Sequence, residues 1–401
     1  MPNMIFPMSD NWWIEKDKAY FCGARISVLF CMDMNSLQCE VVSRIPKCDI
    51  YDFRAHPYCL KYQDNIICLP GTGKDIWLYD IKKNVWEKIE IGHEEQLIIS
   101  MSSYRRNESK IWLLEYDSGK IFQVDLRKRT VDKEYNISSD DKKIYYGGYV
   151  VVQNKLYAAA ENKVSCINID NKEITIYEIP DLKAELYTIC YDGFNFWLSG
   201  YCKEIYIWNP EQGIVKVITE FPKQFGFYHF HETPYIDCTS FFCPEDSSFF
   251  EYSFLLGKYM WYIPNKSNGI IYIDKETYKV SFLEIEEEKE TKDSLEREYA
   301  NKFLFEYIRE DRYIGLYSIK NKLLFEIDSA ELCVQYREYK LSRDAVLTLA
   351  KAIGLYDDQR IFQEKREKDQ QMFSVLLKTS NEVIGNSLRN IGQLIYCTLD
   401  D

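Results

Sequence analysis

The sequence predicts an all-β protein, a seven-bladed β-propeller of four-stranded antiparallel blades followed by a C-terminal α-helical tail. The first observation behind this prediction is a hairpin of alternating apolar and polar residues that recurs seven times. The second is its spacing, which averages about 49 residues, because four short strands in about 40–50 residues are the period of a propeller blade. The third is a change in apolar period from 2 to 3.6 after residue 341. We therefore predict a propeller over 1–341 and a helical tail over 342–401.

Each recurring hairpin contains an apolar strand that ends in an acidic or amide residue. These predicted anchors are Asp33, Asp80, Asp125, Asp170, Asn209, Asp274 and Asp328. A side-chain oxygen at this position can accept a hydrogen bond from a backbone N–H two residues along, which starts the turn into the outer strand. All seven blades can be filled in chain order, so we expect the ring to close without a strand exchanged between the termini. The alternative is a sandwich of unrelated hairpins, which the regular spacing disfavours.

Composition excludes several classes of protein. The chain has 401 residues, with 50 basic and 63 acidic side chains and a net charge of −13. A hydrophobic content of 46% is too high for a disordered chain, and the acidic surplus argues against a nucleic-acid partner. No apolar run approaches the roughly 20 residues that cross a bilayer. The 13 cysteines form no C-x-x-C motif and the N-terminus does not resemble a secretory signal, so we expect a reduced, cytoplasmic protein.

One blade resembles a known family. The segment Ile76-Trp77-Leu78-Tyr79-Asp80, followed by Trp86-Glu87-Lys88-Ile89, is similar to the strand–turn–strand signature of kelch-type, galactose-oxidase-like propellers. At the level of architecture the resemblance covers roughly residues 12 to 340. Kelch blades normally carry a Gly-Gly pair after the second strand, whereas Pro70-Gly71 takes that place here. The resemblance implies a propeller of four-stranded blades.

An insertion over about 222–248 interrupts the repeat and holds the predicted site residues. Two of the four histidines of the chain lie in it at H-x-H spacing, followed by C-x-x-x-x-C. On a strand, that histidine pair would place both rings on one face. One interpretation is therefore a metal site, namely zinc; a second is a loop over the mouth of a ligand pocket; a third is a hydrophobic plug. The candidate metal ligands are His229, His231, Cys238 and Cys243, and the candidate ligand- or partner-binding residues are Tyr228, His229, His231 and Glu232.

Two further segments depart from the repeat. An acidic insertion over about 284–300 is typical of a solvated loop or short exposed helix, with docking of a basic partner as the alternative. In the tail, Ser342 is a good helix N-cap, and apolar residues follow at helical spacing from Ala345 to Ile353. Such a tail either caps the propeller or joins an oligomer or complex through its apolar stripe.

Function is less determined than fold, because propellers host both enzymes and scaffolds. We predict a non-catalytic binding or scaffold protein that uses a propeller face and the C-terminal helices to bind a protein or peptide partner. We assign no catalytic residue and no cofactor. The alternative is an enzyme that acts on a carbohydrate or modified peptide in the central funnel, with Tyr228, His229 and His231 near its chemistry. Convergent carboxyl or imidazole groups with shifted pKa values would favour the enzyme.

Overall fold

The structure is a computed structural model, and it confirms the predicted fold class, a seven-bladed all-β propeller of four-stranded antiparallel blades. It describes residues 11–23, 27–48, 55–92, 106–107, 109–115, 118–137, 146–202, 204–223, 225, 250–264, 269–285, 303–318, 323–337 and 340–341. The helical tail predicted for 342–401 and most of both predicted insertions lie outside these residues. No helix in the described part of the chain is long and apolar enough to span a membrane.

Each blade is built from four strands that follow one another in the sequence. Blades one to three contain β1 (Trp13–Glu15), β2 (Lys18–Cys22), β3 (Val28–Asp33), β4 (Gln38–Arg44); β5 (Tyr58–Tyr62), β6 (Asn65–Leu69), β7 (Asp75–Asp80), β8 (Val85–Glu90); and β9 (Arg106–Asn107), β10 (Lys110–Leu114), β11 (Lys120–Asp125), β12 (Thr130–Asn136). Blades four and five contain β13 (Tyr149–Val152), β14 (Lys155–Ala160), β15 (Lys163–Asn168), β16 (Ile174–Glu178); and β17 (Leu186–Tyr191), β18 (Phe196–Gly200), β19 (Ile205–Asn209), β20 (Gly213–Ile218). Blades six and seven contain β21 (Phe250–Leu256), β22 (Tyr259–Pro264), β23 (Gly269–Asp274), β24 (Val280–Glu284); and β25 (Phe303–Arg309), β26 (Tyr313–Ser318), β27 (Leu323–Asp328), β28 (Cys333–Arg337).

A last strand, β29 (Lys340–Leu341), corrects the expected closure. It pairs in parallel with β4, with Lys340 opposite Gln38 and Leu341 opposite Cys39, so the first blade becomes a five-stranded sheet. The four-stranded blades are filled in chain order, yet the chain still returns to its first blade. The physical reason is that β4 would otherwise be an edge with unpaired backbone groups, which an added strand satisfies.

Middle strands are buried on both faces, and outer strands are not. The strands β7 and β22 each bury five consecutive residues, whereas β16 exposes four of its five. Blades pack face to face, so a middle strand has a neighbouring sheet on each side. Within the unit that holds blades three to six, apolar clusters join neighbouring blades, for instance Trp112 with Tyr149 and Leu156. Aromatic side chains fill these clusters, as the sequence predicted, and Trp197 and Trp261 are fully buried.

The anchor residues form the same turn in all seven blades. At six anchors the side-chain oxygen Oδ1 accepts hydrogen bonds from the backbone N–H groups two and three residues along, and at Asn209 it accepts the first of these. The fourth residue after each anchor has positive φ: Leu37, Asn84, Arg129, Lys172, Gly213, Tyr278 and Leu332. Glycine occupies only one of these seven positions. The scarcity of glycine therefore reflects turns whose hydrogen bonds hold L-residues in the left-handed region.

One predicted anchor was wrong by two residues. In the fourth blade the turn begins at Asn168, not at Asp170. The strand β15 pairs with β14 up to Asn168 opposite Lys155, so the register of the hairpin ends the strand there. Asp170 instead lies within the turn, where its N–H donates to Asn168 and its carboxylate accepts a hydrogen bond from Asn154 at 2.9 Å.

Candidate functional site

The residues predicted for the site are not among those that the structure describes. Tyr228, His229, His231, Glu232, Cys238 and Cys243 all fall within 226–249, outside the described part of the chain. Their roles as metal ligands or as binding residues therefore stay predictions. The described residues hold two other features that the sequence did not single out, an exposed phenylalanine and a buried group of thiols.

Phe194 is an exposed aromatic residue in a turn whose counterparts in other blades are polar. It lies in the turn between β17 and β18 and is 79% exposed. The corresponding turns of five other blades carry Lys16-Asp17, Gln63-Asp64, Gln153-Asn154, Gly257-Lys258 and Glu310-Asp311. Phe194 is thus an apolar exception among the first turns of the blades that the structure describes.

Asp192 fixes the turn that presents this phenylalanine. Its Oδ1 atom accepts hydrogen bonds from the N–H groups of Phe194 and Asn195, each at 2.7 Å. Its Oδ2 atom accepts a hydrogen bond from the indole nitrogen of Trp197, also at 2.7 Å. Because Trp197 is fully buried, one carboxylate joins the exposed turn to the core of the blade.

Asn209, the anchor of the same blade, holds the turn from the other side. Its Nδ2 atom donates to the carbonyl oxygen of Phe194 at 3.1 Å and to Oδ1 of Asn195 at 3.3 Å. In the other six blades, the residue after the anchor donates its backbone N–H to the first turn. Here that residue is Pro210, which has no N–H. An amide side chain therefore supplies the donor that proline removes, which explains why this anchor is asparagine rather than aspartate.

Two further contacts complete the turn. The Tyr191 hydroxyl donates to the carbonyl oxygen of Gly193 at 2.7 Å, and the Asp192 N–H donates to the carbonyl of Asn195 at 3.1 Å. Gly193 has φ of +105°, a conformation that an L-residue rarely adopts. The backbone beneath Phe194 is therefore tied at every residue of the turn, while its ring remains in solvent.

The thiols of Cys22, Cys59 and Cys68 meet inside the protein. The Sγ atom of Cys22 lies 3.4 Å from that of Cys59 and 3.3 Å from that of Cys68, and all three residues are fully buried. Cys22 comes from β2, and the other two face each other across β5 and β6. Cys22 lies 37 and 46 residues from its partners, so no local motif reveals the cluster.

His56 is a buried histidine whose Nδ1 atom lies 3.5 Å from the Sγ atom of Cys48. Its Nε2 atom lies 2.7 Å from the carbonyl oxygen of Asp75, which identifies Nε2 as the protonated nitrogen. Burial lowers the pKa of His56 to about 4, so the ring is neutral at physiological pH. The backbone next to His56 is held by hydrogen bonds. The N–H groups of Gly71 and Gly73 both donate to the carbonyl oxygen of Ala55. Gly73 must be glycine, because a Cβ there would lie 2.6 Å from the imidazole.

Several described carboxylates have lowered pKa values, and these shifts have structural causes. Backbone N–H groups of the turns lower the pKa of Asp33, Asp125 and Asp274. For Asp80 and Asp328 the largest contribution is the side chain of Lys83 or Arg312, and the pKa of Asp328 falls to about 2. These groups lie at repeated turns of separate blades, so their shifts identify turn anchors rather than a shared reaction centre.

Comparison with known proteins shows the fold. No protein-family profile and no curated protein matches the sequence. A chain in the crystal structure of the mitotic checkpoint complex is similar at 9% identity and a TM-score of 0.51, over 84% of this chain and 89% of that chain. The computationally designed Ika8 protein gives 7% identity and a TM-score of 0.53, over 84% and 89%. PorZ, a surface component of the type-IX secretion system of Porphyromonas gingivalis, gives 9% and 0.53, over 85% of this chain and 39% of PorZ.

Proposed function

We propose that this protein is a non-catalytic binding scaffold that recognises a protein or peptide partner at the end of the propeller that carries Phe194. The observation that carries the proposal is the contrast between the exposed ring and its fixed backbone. Burying an exposed phenylalanine against a partner yields about 2 kcal/mol from the hydrophobic effect. Because the turn is already ordered, little of that gain is lost to ordering it upon binding.

The partner's chemistry follows from the surroundings of this residue. Aromatic anchors dominate the energetics of protein interfaces, and polar residues around them exclude water without adding much energy. A partner with an apolar pocket and a polar rim would match Phe194 and the polar turns of the neighbouring blades. The net charge of −13 favours a partner surface that is neutral or basic.

The propeller subtype, the cellular location and the role of the C-terminal segment are proposed from the sequence. We propose a kelch-like subtype of the propeller, a cytoplasmic location, and a role for the C-terminal helices in joining a partner or a second copy. Two of the similar propellers are named as parts of assemblies, the mitotic checkpoint complex and a secretion system, which supports a scaffold role for this architecture.

Site-specific crosslinking tests the proposal. Benzoylphenylalanine resembles phenylalanine in shape. It would replace Phe194 in one preparation of the full chain and Lys258 in a second preparation. Lys258 is the matched control, because it occupies the equivalent turn of blade six, where its carbonyl accepts from Lys275. We expect light to produce an adduct between position 194 and the protein or peptide partner. An excess of unlabelled wild-type chain should suppress this adduct, whereas an excess of Phe194→Ala chain should not. Equal adducts from both positions, or competition by the Phe194→Ala chain, would contradict the proposal.

A further inference from the structure

We propose that Cys22, Cys59 and Cys68 form a binding site for one soft, thiophilic metal ion, for which Cu(I) is the best match. This site lies in the unit that contains blades one and two. It is independent of the partner-binding role proposed for Phe194.

The three sulfurs have the arrangement that a single ion requires. All three ligand atoms lie within 4.8 Å of one another, and Cys22 approaches each of the other two to 3.4 Å or less. Metal–sulfur bonds of about 2.3 Å in a trigonal site would place the sulfurs about 4 Å apart. The Cys22 sulfur would therefore move away from each of the other two by about 0.6–0.7 Å to admit an ion.

The secondary structure holds these thiols in place. Cys59 and Cys68 are directly opposite residues of the antiparallel pair β5–β6, so their side chains lie on the same face of the blade. Cys22 is the last residue of β2 in the first blade. Each ligand thus belongs to a hydrogen-bonded strand, which gives the precision that a metal site needs.

The surroundings select the class of ion. The thiols are packed among apolar side chains, including Leu29 and Ile66, and none of the three residues is exposed. The cluster contains sulfur and no carboxylate or imidazole, which excludes hard ions such as Mg²⁺ and Ca²⁺. Zinc almost always takes four ligands in structural sites. Three sulfurs buried among apolar side chains therefore suit Cu(I) better than Zn²⁺.

The grouping is not a simple consequence of cysteine abundance. Cys39, Cys166 and Cys190 are also buried, yet within the described part of the chain they do not join a metal-competent group. Small apolar residues would fill the same space without bringing three polarisable sulfurs to one point.

A cysteine binds a metal ion as a thiolate, so loading of this cluster would release thiol protons to the solvent.

Anaerobic titration of the reduced full chain with Cu(I), against a coloured Cu(I) chelator, tests the site. We expect one equivalent per chain, a thiolate-to-copper absorption band, sulfur-only coordination by X-ray absorption, and a rise in Tm upon loading. Cys68→Ala is expected to weaken binding by at least about 100-fold. The matched control is Cys39→Ala, a fully buried cysteine of the first blade outside the cluster, which should bind as the wild type does.

Several results would overturn the proposal. These are an absence of binding to the correctly folded chain, equal loss in the Cys68→Ala and Cys39→Ala variants, or tighter binding of zinc than of Cu(I). Circular dichroism of each variant before loading separates a lost site from a lost fold. If Cys68→Ala does not fold, Cys59→Ser serves in its place, because serine keeps the shape but removes the soft ligand.

Discussion

The Nδ2 atom of Asn209 lies 3.1 Å from the carbonyl oxygen of Phe194 and donates a hydrogen bond to it across the end of blade five. This contact replaces the backbone hydrogen bond that Pro210 cannot make. A single change from the aspartate of most blades to asparagine thus compensates for proline and also fixes an exposed aromatic ring. The pairing links a repeated structural element to the surface proposed for binding.

Replacing this amide by a carboxylate should loosen the turn. Asn209→Asp keeps the Oδ1 acceptor for the anchor turn, but it places an oxygen opposite the Phe194 carbonyl. We expect a loss of about 1–3 kcal/mol in the free energy of unfolding, measured by urea denaturation, and faster hydrogen exchange over 192–195. Asn168→Asp is the control, because the turn contacts of Asn168 use its side-chain oxygen. Equal effects of the two substitutions would refute this explanation of Asn209.

Gly213 should resist replacement for a backbone reason alone. Its φ is +76°, and a Cβ built there has no atom within 4 Å. Gly213→Ala is therefore expected to destabilise the protein by about 1 kcal/mol through strain rather than through a clash. Gly213→Asn should cost less, because asparagine tolerates the left-handed region. Thermal unfolding of both variants checks the order, and a larger loss for asparagine would show that packing matters here.

His56 should make stability dependent on pH between about 6.5 and 4. Burial lowers its pKa to about 4 in the folded state, so over this window the unfolded chain binds more protons than the folded chain. Stability therefore rises with pH and falls on acidification, by about 3 kcal/mol in total. We expect the urea midpoint to fall from pH 7 to pH 4, and less steeply in His56→Gln. An unchanged slope in that variant would show that other groups carry the dependence.

A second acid transition should come from the anchor aspartates. Hydrogen bonds from the Thr277 backbone and side chain, among others, lower the pKa of Asp274, and the other aspartate anchors are similarly shifted. A carboxyl with a depressed folded pKa stabilises the fold above its unfolded pKa of about 3.9 and loses that contribution as the pH falls further. Asp274→Asn retains the turn acceptor and removes the titration. Its urea midpoint should lie below that of the wild type at pH 7, because the stabilising charge is missing, and the two midpoints should converge as the pH falls below 4. An equal difference at pH 7 and at pH 3 would contradict this account.

The sequence by itself determined the seven units, the aromatic core and six of the seven anchors. These features are local: alternation along one strand decides which side chains are buried, and an anchor such as Asp80 bonds N–H groups only two and three residues away. Only the tertiary structure decided the features that depend on a neighbouring strand. The register with β14 placed the fourth anchor at Asn168, and β29 added to an edge that no local pattern marks.

The same division applies to the candidate sites. The turn Asp192–Asn195 can be read from its residue types, but the role of Asn209 in fixing it comes from two hairpins folding against each other. Likewise, Cys22, Cys59 and Cys68 each look like a small apolar residue in its own strand. Their sulfurs converge only when the first two blades pack together, because contacts between residues far apart in sequence are set by packing rather than by spacing.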